Sequence, residues 1–271
     1  MLAFILFSTT SIIDLFIYLS DVFSSSYFYF LAIPFLFWTV DKHAGFRLLY
    51  LFMFSVYLNN ILKDIFKVDR PDTSIDGYSM PSGHAQATTV FWGFLIPFLS
   101  KKFFTFVAIS VIALISFSRV YTNAHWTLDI VVGISIGIFL VYASYRALDW
   151  IGAMPDIYKL VLAIILPIAL WLLSPEDSYY AGLLLGGGVG YFFEILKCRM
   201  ILPTSYLRRG AAFLIGIIGL VMIERIGTIL SGNLFIELLF STLLGLWITL
   251  IAPLLFVKIR LYNSELNNIK N

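Results

Sequence analysis

Long apolar runs, rather than the alternation of a half-buried surface, set the character of this 271-residue chain. A helix rises about 1.5 Å per residue, so roughly 20 apolar residues cross a hydrocarbon core of about 30 Å. On that ruler ten segments are predicted as helices able to enter a bilayer. They run approximately over 2–20, 26–41, 45–66, 84–99, 102–118, 126–148, 157–173, 179–196, 210–230 and 234–257. Asp14 and several hydroxyl-bearing residues interrupt the first, which fits an interfacial or re-entrant segment as well as a span. That segment lacks a basic start and a small-residue cleavage site, so it reads as a retained helix and not as a signal peptide. Only 13% of the residues are charged, where a soluble domain carries roughly a quarter. The fold class is therefore all-α, a polytopic integral membrane helical bundle. The net charge of +2 is too mild for a nucleic-acid partner, and the single cysteine, Cys198, cannot form an internal disulfide.

The connections alternate in charge. One set holds "DKHAGFR" (41–47), "KK" (101–102), the stretch 146–159, "KCRMILPTSYLRR" (197–209) and the tail from Lys258. The other holds 67–83, 119–125, "SPEDS" (174–178) and "SGN" (231–233). Of the 18 Lys and Arg, 13 fall in the first set, Lys270 among them. Four lie on the second side (Lys63 at the end of the third helix, then Lys67, Arg70 and Arg119), and Arg225 lies inside a helix. Basic loops stay in the cytoplasm, so the first set and both termini are expected there and the second set outside. Gly133 and Gly137, and Gly182, Gly186 and Gly190, stand four residues apart, a spacing that lets helix backbones approach closely. Such stripes fit internal packing, with a homodimer seam or a gate as the alternative.

Three clusters fall on the outward side. Lys63 precedes Arg70-Pro71 by six intervening residues, Pro81-Ser82-Gly83-His84 opens the fourth helix, and Ser118-Arg119 is followed by His125 and Asp129. Singly, each has a bland reading: an arginine at a helix end snorkels, a histidine at a membrane edge is satisfied by its surroundings, and serine with glycine and proline marks a turn. Together they make a site. Lys63, Arg70 and Arg119 supply cations for phosphate oxygens, and arginine's fork matches them bidentately. Ser82 and Gly83 offer backbone N–H groups at a helix start, which suits an anion. His125 and Asp129, four apart, share a helix face, so the carboxylate can hold one ring nitrogen and leave the other free to attack. His84 has no acidic partner at that spacing and suits the general acid. The kit needs no cofactor and no metal, and three nearby cations oppose a zinc ion between the histidines.

"KDIFKVDRP" (63–71), "PSGH" (81–84) and "SRVYTNAHWTLD" (118–129) together resemble the signature of the type 2 phosphatidic acid phosphatase family, within the acid phosphatase and vanadium haloperoxidase superfamily. The pattern K-x6-RP, PSGH, SR-x5-H-x3-D is matched without substitution. The resemblance implies a six-helix phosphatase core over residues 1–150, with the active site opening at the outer leaflet. It implies His125 as nucleophile, Asp129 as its partner, His84 as general acid, and Lys63, Arg70, Ser82, Gly83 and Arg119 as phosphate ligands. The activity it implies is a hydrolase acting on lipid phosphates in the plasma membrane. The substrate expected first is an undecaprenyl-type diphosphate, with phosphatidylglycerol phosphate, phosphatidate or transfer to another acceptor as alternatives, and lipid transport as the non-enzymatic one. About four further transmembrane helices occupy 151–271, where the resemblance stops. They carry Glu194, Glu224-Arg225 and Glu237, for which structural pairing or a dimer contact is expected.

Overall fold

The computed structural model describes residues 2–230 and 232–268. Ser231 and Lys270, counted above in a loop and in the tail, lie outside the described residues. Helices form where the apolar runs predict them: α1 Leu2–Ser24, α2 Ser26–Phe35, α3 Lys42–Phe66, α4 Gly83–Leu99, α5 Lys102–Tyr121, α6 Thr127–Ala153, α7 Asp156–Leu173, α8 Ser178–Phe193, α9 Tyr206–Leu230 and α10 Leu234–Leu246, extended by α11 Ala252–Lys258. A final short helix, α12, covers Glu265–Asn268. Two residues each of β1 (Met200–Ile201) and β2 (Asn263–Ser264) pair antiparallel. Some helices outrun their predicted ends. α5 continues to Tyr121 and α9 starts at Tyr206, because backbone bonding passes through Arg119, Arg208 and Arg209, which a hydropathy ruler counts as breaks.

Three helices widen into a five-residue π turn, at Leu36–Val40, Glu194–Cys198 and Trp247–Ile251. The last sits just before Pro253, whose ring crowds the carbonyl of Thr249 and whose missing N–H cannot bond it. Among the described residues seven helical runs are long and apolar enough to cross a membrane. The pair Ile13–Ser24 and Ser26–Val40, bent by 51°, meets the same test together. α4 has 17 residues, at the short end of the roughly 17–25 that a span needs.

The helices fall into two compact units. The first takes the chain up to Phe30 together with Leu58–Ala143. Here α5 lies against α1 and α4, and Phe28 meets the rings of Phe91 and Trp92 at 5.5 and 6.4 Å. α6 crosses α4 at its glycines. A Cβ on Gly133 would stand 2.7 Å from the Ser82 carbonyl oxygen, and one on Gly137 would stand 2.7 Å from Thr89 Cβ. No other residue fits at either point.

The second unit takes Leu31–Tyr57 and the chain from Ser144 onward. α8 and α10 meet along the other glycine stripe, where a Cβ on Gly186 would fall 1.9 Å from the Thr242 carbonyl oxygen. That stripe is therefore consumed within the chain, which removes it as a dimer seam. Trp38, fully buried, donates from its indole to the Ile248 carbonyl at 2.8 Å and faces Gly216. Glu194, also fully buried, accepts from Lys42 at 3.0 and 3.1 Å and from the Met200 N–H at 2.7 Å, so this intramembrane carboxylate is internally paired. Glu224 accepts from the Tyr179 hydroxyl of α8 at 3.3 Å, a partner on another helix, as its position next to Arg225 requires.

Replacing Gly133 by alanine should lower the thermal unfolding midpoint in detergent, by a destabilisation of about 1–3 kcal/mol, because the added methyl meets backbone and not a flexible side chain. Gly152→Ala, with nothing within 4 Å of its new Cβ, should melt as the parent does.

Candidate active site

The three sequence clusters meet in the first unit, and backbone bonds hold them there. α3 ends at Phe66, and the connection that follows turns back through Lys67, whose φ is 49°. Its return limb is fastened by the Ser79 N–H to the Val68 carbonyl at 2.7 Å. The same loop is stitched to the turn after α5, where Asp72 N–H donates to the Asn123 carbonyl at 3.1 Å and the Trp126 indole donates to the Asp69 carbonyl at 3.0 Å. Within that turn, the N–H groups of Ala124 and His125 both donate to the Arg119 carbonyl, at 3.0 and 3.2 Å, which brings Arg119 and His125 side by side. Finally the Ser82 N–H donates to the Asp129 carbonyl at 3.1 Å, joining the start of α4 to the start of α6.

His125 is 3% exposed, and its two ring nitrogens see different partners. Nε2 lies 3.3 Å from Arg70 Nη1. A guanidinium can only donate, so Nε2 accepts there with its lone pair and the ring proton belongs on Nδ1. Nδ1 lies 3.3 Å from the Ser79 hydroxyl and 3.5 Å from Asp129 Oδ2. Oδ2 also accepts from the Trp126 N–H at 2.8 Å and from the Ser79 hydroxyl, while the buried Oδ1 has no hydrogen-bond partner. Burial chiefly, then the charges of Arg70 and Lys63, hold the His125 pKa below its ordinary value, with Asp129 opposing them. At neutral pH the ring is therefore a free base, which is the state a nucleophile needs.

The cations surround this ring and His84. Lys63 and Arg70 are half-buried, and both act electrostatically on His125 and on His84, with Arg119 added at His84. Arg70 is oriented by donation to the carbonyls of Gly77 at 3.0 Å and Ala124 at 3.1 Å. Arg119 donates to the Ser118 hydroxyl at 3.2 Å and forms an ion pair with Asp21 at the end of α1. His84 is exposed, one residue into α4. The fully buried Ser82 caps α4, its hydroxyl accepting from the Ala85 N–H at 3.5 Å. Because the Ser82 N–H is committed to Asp129, the donors left for an anion at this helix start are the N–H groups of Gly83 and His84, the orphans of a first turn.

Four contributors were not visible in the sequence reading. Ser79 reaches both His125 and Asp129, and the Trp126 backbone supplies a donor. Asn59 of α3 donates to the Pro81 carbonyl at 3.3 Å and to Gln86 Oε1 at 2.9 Å, and it closes the space beside Gly83, where a Cβ would come within 3.1 Å of its oxygen. Asp21 falls between the first two predicted segments, 2–20 and 26–41, where the sequence marked no functional residue. Its interaction with Arg119 sets the end of α1 at the site. No group of three or more His, Cys, Asp or Glu is placed to hold a metal among the described residues.

Comparison with known proteins gives the chain a family and relatives. The PAP2 superfamily pattern matches residues 44–153, and the pattern for the PAP2 superfamily phosphatase transmembrane extension matches residues 178–264. The chain is 28% identical to human sphingosine-1-phosphate phosphatase 2 over 201 residues, which is 63% of this chain and 50% of the relative. It is 32% identical to phosphatidylglycerophosphatase B of Bacillus subtilis over 111 residues, 36% of this chain and 55% of the relative. With the undecaprenyl-diphosphatase of Sulfolobus acidocaldarius it shares 26% over 115 residues, 39% of this chain and 55% of the relative. The chain thus spans about half the length of these curated relatives. No solved structure gives a significant match.

Two outcomes follow from the charges. In turnover of a phosphate ester, kcat/KM measured from pH 9 to pH 4 should show no loss from His125 above pH 6.5, because its lowered pKa keeps Nε2 unprotonated there; the acid limb should begin below that value. Asp21→Asn should free Arg119 from a carboxylate whose side chain is 54% exposed, lowering KM about two- to five-fold, as the loss of an exposed ion pair would.

Proposed function

We propose that this chain, which belongs to the PAP2 superfamily, is a metal-independent membrane phosphatase that removes a terminal phosphate from a lipid through a phosphohistidine. The observation that carries the reading is the meeting of three cations, two histidines and a buried carboxylate at one end of α3, α4, α5 and α6, in a chain that is otherwise mostly apolar.

In the proposed mechanism a phosphate dianion lies among Lys63, Arg70 and Arg119, against the N–H groups of Gly83 and His84. Nε2 of His125 attacks phosphorus. The P–N bond forms as the bond to the lipid oxygen breaks, and that oxygen leaves with its electron pair and takes a proton from His84. Asp129 balances the positive ring that results. Water then attacks phosphorus and gives its proton to His84, and the P–N electron pair returns to Nε2. The dianion offsets the charge of the cations, which is the condition under which His84 can hold the proton it donates.

Two substrate classes have support. A lipid phosphate monoester is favoured by the likeness to the sphingosine-1-phosphate phosphatase, which covers 63% of this chain against 39% for the undecaprenyl-diphosphatase. An undecaprenyl-type diphosphate is favoured by an outward-facing site in the plasma membrane, the orientation that the basic loops imply. We read residues 1–150 as the phosphatase core and 151–271 as appended transmembrane helices.

The test is phosphate release by the purified protein from sphingosine 1-phosphate, phosphatidate, phosphatidylglycerol phosphate and undecaprenyl diphosphate, in EDTA. Turnover of at least one, inhibition by vanadate and a loss on the order of 10⁴-fold in His125→Ala are expected. Full turnover in His125→Ala would sink the mechanism. Phosphate appearing on a second lipid, and not free in solution, would reassign the chain as a phosphotransferase.

A further inference from the structure

We propose that Ser79 is a positioning residue whose hydroxyl carries the coupling between the His125 ring and the Asp129 carboxylate, in place of a direct bond between them. This rests on the reading of His125 as the nucleophile. Ser79 is one of the residues flanking the PSGH motif that the chemical reading left without a role.

The direct route is the longer one. Nδ1 and Oδ2 stand 3.5 Å apart as a charge contact, with no hydrogen bond joining them. The Ser79 oxygen lies nearer to Nδ1, at 3.3 Å, and is bonded to Oδ2. Donor inventory then fixes every direction in the chain. Arg70 can only donate, so Nε2 accepts and Nδ1 carries the proton. Nδ1–H donates to the serine oxygen. The serine's single proton goes to Asp129, whose ionised carboxylate can only accept. No other assignment satisfies all three contacts.

The serine is held for this task. It is fully buried, and its backbone N–H bond to the Val68 carbonyl at 2.7 Å fixes the point of the loop from which the hydroxyl projects. Oδ2 is turned toward it by the Trp126 N–H at 2.8 Å. During attack the P–N bond forms at Nε2 and the bond to the lipid oxygen breaks, with its electron pair protonated by His84. The proton on Nδ1 stays where it is. The positive charge of the phosphorylated ring is then met by the carboxylate through the serine dipole, and no proton crosses the relay.

Two experiments decide it. First, kcat for Ser79→Ala, Asp129→Asn and the double variant is measured on whichever lipid the wild-type protein hydrolyses. Ser79→Ala should lose about 10- to 100-fold in kcat with KM nearly unchanged, the size of effect that removal of an orienting partner produces. The double variant should fall no further than Asp129→Asn alone, because a relay cut twice is cut once. Multiplying losses, or a Ser79→Ala protein with wild-type kcat, would overturn the proposal. Second, nitrogen NMR on wild-type protein labelled at its three histidines, assigned with His125→Gln, needs no Ser79 variant to fold. It should report a protonated Nδ1 and a bare Nε2 on His125, and the opposite tautomer would overturn the relay. A wild-type protein inactive on every lipid tested would instead remove the phosphatase reading, and the opposite tautomer would still overturn the relay.

Discussion

The closeness of α4 and α6 is the constraint on which the candidate site depends. A single backbone bond, from the Ser82 N–H to the Asp129 carbonyl, ties the first turn of one helix to the first turn of the other. It can form only because Gly133 and Gly137 let the two backbones come together over Ser82 and Thr89. In a bilayer, where lipid tails are as apolar as leucine, such contacts between small residues take over the part that burial plays in water. Helix packing and site assembly are here one event. The motif at the mouth of α4 and the histidine–aspartate pair before and within α6 share a frame that neither helix could provide alone.

Charge is the second theme. Three cations converge, Arg119 with Asp21 as its counter-ion, and the Asp129 carboxylate deep among them is already engaged by a serine and a backbone N–H. Desolvated like charges repel, so the surrounding helices hold a cluster of this kind together against its own electrostatics. A phosphate dianion relieves that repulsion wherever it binds. Affinity for phosphate and tolerance of the cation cluster are thus two aspects of the same field, and the chemistry of the lipid tail enters neither.

Much of this was legible in the residues. Ten apolar runs set the helices, and the spacings among Lys63, Arg70, His84, Arg119, His125 and Asp129 named the groups that the structure brings to one end of a helical unit. What stayed hidden was whatever depends on the third dimension alone. Ser79 looks like an ordinary turn residue, and nothing in its neighbours signals that it would point between a histidine and an aspartate. Asn59 reads as a stray amide in an apolar helix until it is seen bonding Pro81 and Gln86. The commitment of the Ser82 N–H to Asp129 is a backbone contact across a long sequence gap, invisible to any motif. Helix ends shifted for a related reason: hydropathy counts arginine as an interruption, while a backbone hydrogen bond ignores the side chain beyond it.

The contact between Arg70 and His125 Nε2 has a consequence of its own. The lone pair that the proposed mechanism sends to phosphorus faces the Arg70 guanidinium, which covers it. A phosphate offers the arginine better acceptors than an imidazole can, so on the proposed reading a bound phosphate would draw the guanidinium onto its own oxygens and bare the nitrogen beside its phosphorus. On that reading binding and arming would coincide, and ligand charge would set both.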